Sequence, residues 1–202
     1  GAPQIRNRGT IAGNLITASP ANDTIAPLWA LNASVTLTSA ERGSRTLPFY
    51  EFYKGVRKTA MAADELLTDI SFAAMSDEMR GTFTKVALRR AQAISVVNCA
   101  AVLEMHRDAI VKARLTYGSV APTIVRAPEV EKYLVGKSLT EAVIERAGEL
   151  AMNAARPIDD VRGPAEYRTE MLRVITMRAL RQLRDGTERA DYPSRPAMLW
   201  GR

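Results

Sequence analysis

The sequence holds one cysteine, Cys99, and one histidine, His106, in 202 residues. A lone thiol excludes an internal disulfide, and a four-cysteine iron–sulfur cluster cannot be built from this chain. One thiol and one imidazole supply no ligand set for an intrinsic transition-metal site. Cys99 lies in the apolar run Ser95–Leu103, which reads as a buried, inert thiol, and His106 lies in a polar turn. Aromatic residues make up only 6% and do not interleave with the basic ones. The net charge of +6 is scattered among acids, so nucleic-acid binding is not expected and a solvated surface that docks partner subunits is. No run approaches the roughly 18 apolar residues of a membrane span. No basic-then-apolar pattern opens the sequence as given, and the expected location is cytoplasmic. The chain also lacks a nucleophile–base pair and a convincing acid–base dyad. Asp159 and Asp160, beside Arg162 and close to prolines, read as helix caps and salt bridges.

What is present begins at Gln4-Ile5-Arg6-Asn7-Arg8-Gly9-Thr10-Ile11-Ala12-Gly13-Asn14 and runs on through Thr17-Ala18-Ser19-Pro20-Ala21-Asn22-Asp23. Small residues, hydroxyls and amides dominate it. Gly9 and Gly13 admit positive φ and close approach, and Thr10, Asn14, Thr17 and Ser19 add short hydrogen-bonding arms. Successive N–H groups in such a loop suit a phosphate. A carboxylate beside a diphosphate would be repelled, whereas beside a sugar diol it accepts two hydrogen bonds. The glycines and hydroxyls are therefore assigned to phosphates and Asp23 to a ribose or ribitol. Asn22, Asp23 and Thr24 are N-cap candidates for an apolar helix through Leu31, with Pro27 in its first turn.

This run resembles the second flavin-binding motif of the FAD-binding medium subunits of the molybdenum hydroxylases, the flavoproteins of xanthine dehydrogenase and carbon monoxide dehydrogenase. Ala12 stands where that pattern usually has glycine. Lys85-Val86-Ala87-Leu88-Arg89-Arg90 with Ile94 resembles the family's Lys-x-x-x-Arg-Arg strand. Tyr117–Thr123 resembles its Gly-x-(Val/Met)-Ala-x-(Thr/Pro) turn. Asp160-Val161-Arg162-Gly163 with Tyr167-Arg168 resembles its Asp-x-Arg-Gly segment.

The resemblance implies an α+β fold. Residues 1–75 would form the second lobe of a vanillyl-alcohol-oxidase/p-cresol-methylhydroxylase-type FAD-binding domain. Residues 81–184 would form a carbon monoxide dehydrogenase flavoprotein-type C-terminal domain, a three-stranded antiparallel sheet packed with a three-helix bundle, and 185–202 a tail. It also implies cofactor contacts: Thr10, Gly13 and Asn14 to phosphates, Thr17 and Asp23 to ribitol or ribose, Leu67 (next best, Leu66) beside the flavin ring, and Lys85 on the isoalloxazine or adenine side. The implied activity is that of an oxidoreductase subunit passing electrons from iron–sulfur clusters to NAD or another acceptor. Its partners would be a molybdopterin-binding large subunit and a small subunit with 2Fe-2S or 4Fe-4S clusters. The family's earlier lobe, with a first Gly-rich loop, is not in this sequence. The expectation is a fragment or one half of a split subunit, holding FAD itself or sharing it with an N-terminal flavin-domain polypeptide. The alternatives are an interaction module that has lost flavin and a flavin oxidase of the vanillyl-alcohol-oxidase group.

The rest of the chain predicts further elements. Val35, Leu37 and Ser39 alternate with Thr36 and Thr38, as in a strand that turns at Glu41–Ser44 and returns through Leu47. Phe49, Tyr50, Phe52 and Tyr53 read as a packing lid, and Glu65–Phe72 as a strand. A boundary is placed at 73–80. Strands are expected over 81–90, 94–106 and 109–118, antiparallel because their turns are short. Helices are expected near 126–134, over 141–154 with Leu139, Val143, Ala147, Leu150 and Ala154 on one face, and over 164–184 with Leu172, Ile175, Ala179 and Leu183 buried. In the tail, Met198-Leu199-Trp200 is a potential anchor.

Overall fold

The computed structural model describes residues 2–89 and 92–188. Its opening is helical rather than an open loop. Helix α1 (Pro3–Arg8) and helix α2 (Ile11–Ile16) are separated by Gly9 and Thr10, and the Thr10 hydroxyl caps α2 by accepting from the Gly13 N–H at 2.9 Å. Gly9 has φ −71°, and Gly13 lies within α2, so neither enters the left-handed region. What Gly9 supplies is room, because a Cβ there would sit 2.9 Å from the Ile5 carbonyl oxygen. The left-handed turn falls instead on Ala18, at φ 48°.

Helix α3 (Ile25–Ala30) buries Ile25, Ala26 and Ala30. None of the three expected residues caps it by a side-chain bond. Asn22 Nδ2 donates to the Asn14 carbonyl at 2.6 Å, Thr24 Oγ1 donates to Asn14 Oδ1, and Asp23 turns toward the sheet. Strands β1 (Ser34–Ser39) and β2 (Gly43–Pro48) form the expected hairpin. Helix α4 (Phe49–Phe52) and the small ribbon β3 (Tyr53–Gly55) and β4 (Lys58–Thr59) follow. Strand β5 (Glu65–Ser71) then pairs with the free edge of β1, giving the antiparallel order β2-β1-β5. The aromatic cluster is packing. Phe49, Phe52 and Tyr53 are buried, Tyr53 stacks on Trp29 with centroids 5.8 Å apart, and Tyr50 points out.

The second sheet has four strands: β6 (Met79–Ala87), β7 (Ser95–His106), β8 (Ala109–Gly118) and β9 (Val125–Arg126), paired in that order and all antiparallel. The fourth strand goes beyond expectation. Two residues carry no readable periodicity, yet they add Thr116↔Arg126 and Tyr117↔Val125 to the ladder. Helix α5 (Pro128–Leu134), helix α6 (Glu141–Ala151, then a 3-10 turn over Met152–Ala154) and helix α7 (Ala165–Asp185) complete the described chain. Gly186, at φ 66°, closes α7 in the left-handed conformation. In α7 the stripe Leu172, Ile175, Ala179 and Leu183 is buried, as expected. In α6 the deepest residues are Ile144, Ala147 and Ala151, so the buried face is rotated slightly from Val143 and Leu150, which are only partly covered. The expected anchor Met198–Trp200 lies outside the described residues.

Strand β7 explains the near-continuous apolar run. Cys99, Ala101 and Leu103 pack with the helices on one face, while Ala100 and Val102 join the cluster of Leu15, Ile25, Ala26 and Phe52 on the other. A strand covered on both faces needs no polar alternation. This two-sided sheet brings the 18–26 segment and the 160–168 segment to the same strand ends.

Candidate functional site

The site forms where α1, α2 and the turn before α3 face the β6–β7 connection. A groove of about 510 Å³ is lined by Thr10, Asn14, Asp23, Thr24, Ala93 and Ile94, among others, with Ile5 and Ile11 on its apolar wall. Asp23 is its electrostatic centre. Lys85 Nζ donates to Asp23 Oδ2 at 2.5 Å, and Ser95 Oγ donates to Asp23 Oδ1 at 2.6 Å. Lys85 also donates to the Ala93 carbonyl at 2.9 Å. The strand register explains this convergence. Lys85 opposes Asn98, which opposes Gly118, so all three side-chain positions share the sheet face that lies under residues 18–26.

A second set of bonds reaches the same point from Ser119 and the 160–168 segment. The Ser95 carbonyl accepts from Ser119 Oγ at 3.0 Å and from Arg162 Nη1 at 3.2 Å. Arg162 is gripped by Asp160, with Nη2 2.6 Å from Oδ2 and the backbone N–H 2.8 Å from Oδ1. Arg168, 1% exposed, pairs with the same carboxylate and donates to the Ser119 carbonyl at 3.2 Å. The guanidinium of Arg162, with that of Arg168, holds the Asp160 carboxyl well below the ordinary carboxylate range, against its partial burial. Asp159 Oδ1 accepts from the Ala165 N–H at 2.6 Å where α7 begins, so the acidic pair is a cap and an ion pair, as the sequence suggests.

Of the expected site residues, Thr10, Asn14 and Asp23 line the groove, and Lys85 is tied to it through Asp23. Gly13 is occupied within α2, and a Cβ there would sit 3.0 Å from Thr10 Oγ1. Thr17 Oγ1 donates back to the Gly13 carbonyl at 2.6 Å. Leu67 lies on β5 opposite Leu37, packed against the Leu15–Phe52 cluster, while Leu66 is 71% exposed. Gly13, Thr17 and Leu67 are not in the groove lining. Sequence reasoning did not single out Ser95 and Ser119. They are lone hydroxyls: only the fold brings Ser95 Oγ to Asp23 and Ser119 Oγ to the Ser95 carbonyl. Arg162 and Arg168 were visible as parts of a pattern, but not as partners of this site.

Gly118 has a clear steric reason. A Cβ there would lie 2.5 Å from Asn98 Oδ1, 2.7 Å from Asn98 Nδ2 and 2.8 Å from the Pro20 carbonyl oxygen. That same carbonyl accepts from the Ser119 N–H at 2.8 Å. Gly118→Ala is expected to lose about 1–3 kcal/mol by overpacking. It should also lift the Pro20–Asp23 turn, which denaturant unfolding and the exchange of the Ser119 amide would read out.

The donor set fits a flavin dinucleotide in kind. The groove offers a hydroxyl, an amide and a carboxylate for phosphate and sugar, beside apolar side chains for a ring. Comparison with known proteins gives the family of the chain. Residues 1–73 match the family described as the FAD binding domain in molybdopterin dehydrogenase, and residues 82–183 match the CO dehydrogenase flavoprotein C-terminal domain. The chain is 34% identical over 183 residues to the glyceraldehyde dehydrogenase medium chain of Sulfolobus acidocaldarius, covering 91% of this chain and 64% of that one. It is 36% identical over 178 residues to the carbon monoxide dehydrogenase medium chain of Afipia carboxidovorans, covering 88% and 61%. It superposes on the reconstituted CO dehydrogenase from Oligotropha carboxidovorans with a TM-score of 0.85 at 34% identity, over 92% of this chain and 64% of that one. The chain thus spans under two thirds of the length of these relatives.

Proposed function

Because the chain belongs to the family of FAD-binding medium subunits of the molybdenum hydroxylases, we propose that it is the flavin station of such a complex, taking electrons from iron–sulfur clusters and delivering them to NAD or another acceptor. The observation that carries this reading is one convergence. Thr10, Asn14 and Asp23, from the part matching the FAD-binding family, line a single groove. Lys85, from the part matching the flavoprotein C-terminal family, holds its carboxylate. Residues 1–75 form the flavin lobe in this reading and 81–184 the domain that closes it.

FAD, when bound, supplies the redox chemistry, and the protein supplies position and electrostatics. Asp23 accepts hydrogen bonds from a sugar diol. Lys85 and Ser95 fix both of its oxygens, so the carboxylate is oriented before the ligand arrives. Thr10 and Asn14 reach phosphate oxygens. The Lys85 ammonium, which the resemblance sets on the isoalloxazine or adenine side, is paired with the Asp23 carboxylate, so its part is to hold that carboxylate in place. The electron donors would be a small iron–sulfur subunit and a molybdopterin-binding large subunit.

The test is titration of the purified chain with FAD, alone and together with the N-terminal lobe of a related medium subunit, followed by visible absorption after desalting. Retained flavin bands in either sample support the reading. No flavin in both overturns it and leaves an interaction module that keeps the fold without the cofactor.

A further inference from the structure

Three cations hold the carbonyl oxygens of the short segment that enters β7. Arg89 Nε donates to the Gln92 carbonyl at 3.1 Å, Lys85 Nζ to that of Ala93 at 2.9 Å, and Arg162 Nη1 to that of Ser95 at 3.2 Å. Gln92, Ala93 and Ile94 form one wall of the groove that contains Asp23. Arg89 and Lys85 belong to the strand end that the segment itself continues. Arg162 comes from far along the chain, and its side chain is 24% exposed, held against the segment by Asp160. Its target is the residue whose hydroxyl donates to Asp23 Oδ1, and Ser95 itself is fully buried.

We propose that Arg162 is a positioning residue for the cofactor site: by holding the Ser95 carbonyl it seats the 92–95 wall and aims the Ser95 hydroxyl at Asp23. The inference rests on the flavin reading above. It adds a residue that lines not the Asp23 groove but the pocket adjoining it across Ala21 and Gln92–Ile94, and that acts on the ligand through Ser95. The link runs guanidinium, peptide, hydroxyl, carboxylate: its first and last steps are hydrogen bonds within ordinary range, and the middle one is the covalent frame of Ser95 itself. Asp160 serves the arrangement by fixing the fork of Arg162, with Nε and Nη2 both directed at its Oδ2.

The experiment measures FAD dissociation constants by flavin fluorescence for the wild type, Arg162→Ala, Arg162→Lys, Ser95→Ala and the Arg162→Ala/Ser95→Ala double variant. The protein is used in whichever form retains FAD. Deuterium uptake by the peptide covering residues 92–98 is recorded in parallel. Arg162→Ala is expected to weaken FAD about tenfold, the scale of a lost charged hydrogen bond, and to raise uptake in that peptide. Arg162→Lys restores most of both. The double variant should bind no worse than the weaker single variant, because the two residues act in series. Unchanged affinity and uptake in Arg162→Ala would overturn the inference, as would losses that multiply in the double variant. If the wild type takes up no FAD, the flavin reading fails by itself, and the uptake comparison between Arg162→Ala and Arg162→Lys still decides whether Arg162 seats the segment.

Discussion

Arg168→Ala is expected to lower the unfolding free energy by about 3–4 kcal/mol, the scale of breaking a buried ion pair. Arg168 is the largest fully buried side chain of the molecule's described residues and lies at 1% exposure. Its guanidinium pairs with Asp160 and donates to the Ser119 carbonyl at 3.2 Å, so truncation removes both bonds and leaves a cavity. Asp160 keeps Arg162, with Nη2 at 2.6 Å, which limits the loss. Arg168→Met should cost about half as much, because it fills the space and removes the buried Nε that has no acceptor. Denaturant unfolding at neutral pH separates the three proteins, and a loss below about 1 kcal/mol for Arg168→Ala would show the pair to be dispensable. The pH dependence has a definite sign. The Asp160 carboxyl is depressed in the folded protein, chiefly by Arg162. Its stabilisation is therefore complete above the ordinary aspartate value of about 4 and is lost as pH falls below it. The gap between wild type and Arg168→Ala should narrow in that acidic range and stay constant above it.

Asp23→Ala is expected to weaken FAD binding by about a hundredfold, corresponding to two lost hydrogen bonds to a charged group. Stability should fall by about 1–3 kcal/mol, because the hydroxyl of the fully buried Ser95 loses its acceptor, while the Lys85 pair adds little. Lys85 and Asp23 are 28% and 36% exposed, so the freed ammonium can hydrate, and exposed pairs contribute under about 1 kcal/mol. Asp23→Asn is the sharper variant. It keeps the shape and can still accept from Ser95, but it gives up the charge that pairs Lys85. Fluorescence titration with FAD, set beside thermal unfolding of the same samples, reads the two effects apart. Wild-type affinity in Asp23→Ala would remove the carboxylate from the site.

Much of the fold was legible because its elements carry strong periodicity. The α7 stripe and the β1 alternation declare their buried faces directly, and the three long strands of the second sheet have short turns that force antiparallel pairing. The opening run was not legible in the same way. Its glycines, hydroxyls and amides read as a loop, but Thr10 caps a helix and Gly9 clears space for the Ile5 carbonyl. Local propensity yields there to hydrogen bonding that the composition alone does not specify. The cap candidates Asn22, Asp23 and Thr24 were drawn away by stronger partners, Asn14 for two of them and Lys85 with Ser95 for the third. At the site, Asp23 and Lys85 were legible as residue types. Their pairing, and the reach of Arg162 to Ser95, depends on strand register and on a chain separation of 67 residues that no local pattern encodes.

Four of the bonds around the second sheet share one asymmetry. Arg114 Nε donates to the Ala30 carbonyl at 2.5 Å, Thr116 Oγ1 to that of Ala26 at 2.7 Å, Lys85 to that of Ala93, and Arg162 to that of Ser95. Each donor is a particular side chain, while each acceptor is a main-chain oxygen that every amino acid possesses. Sequence drift can therefore exchange Ala26, Ala30 or Ala93 for another residue of tolerable size without removing a single acceptor. Only the donating half of each contact has to be inherited by name. An architecture secured in this one-sided way can keep its geometry through extensive divergence, with its memory held in a few arginines, threonines and lysines.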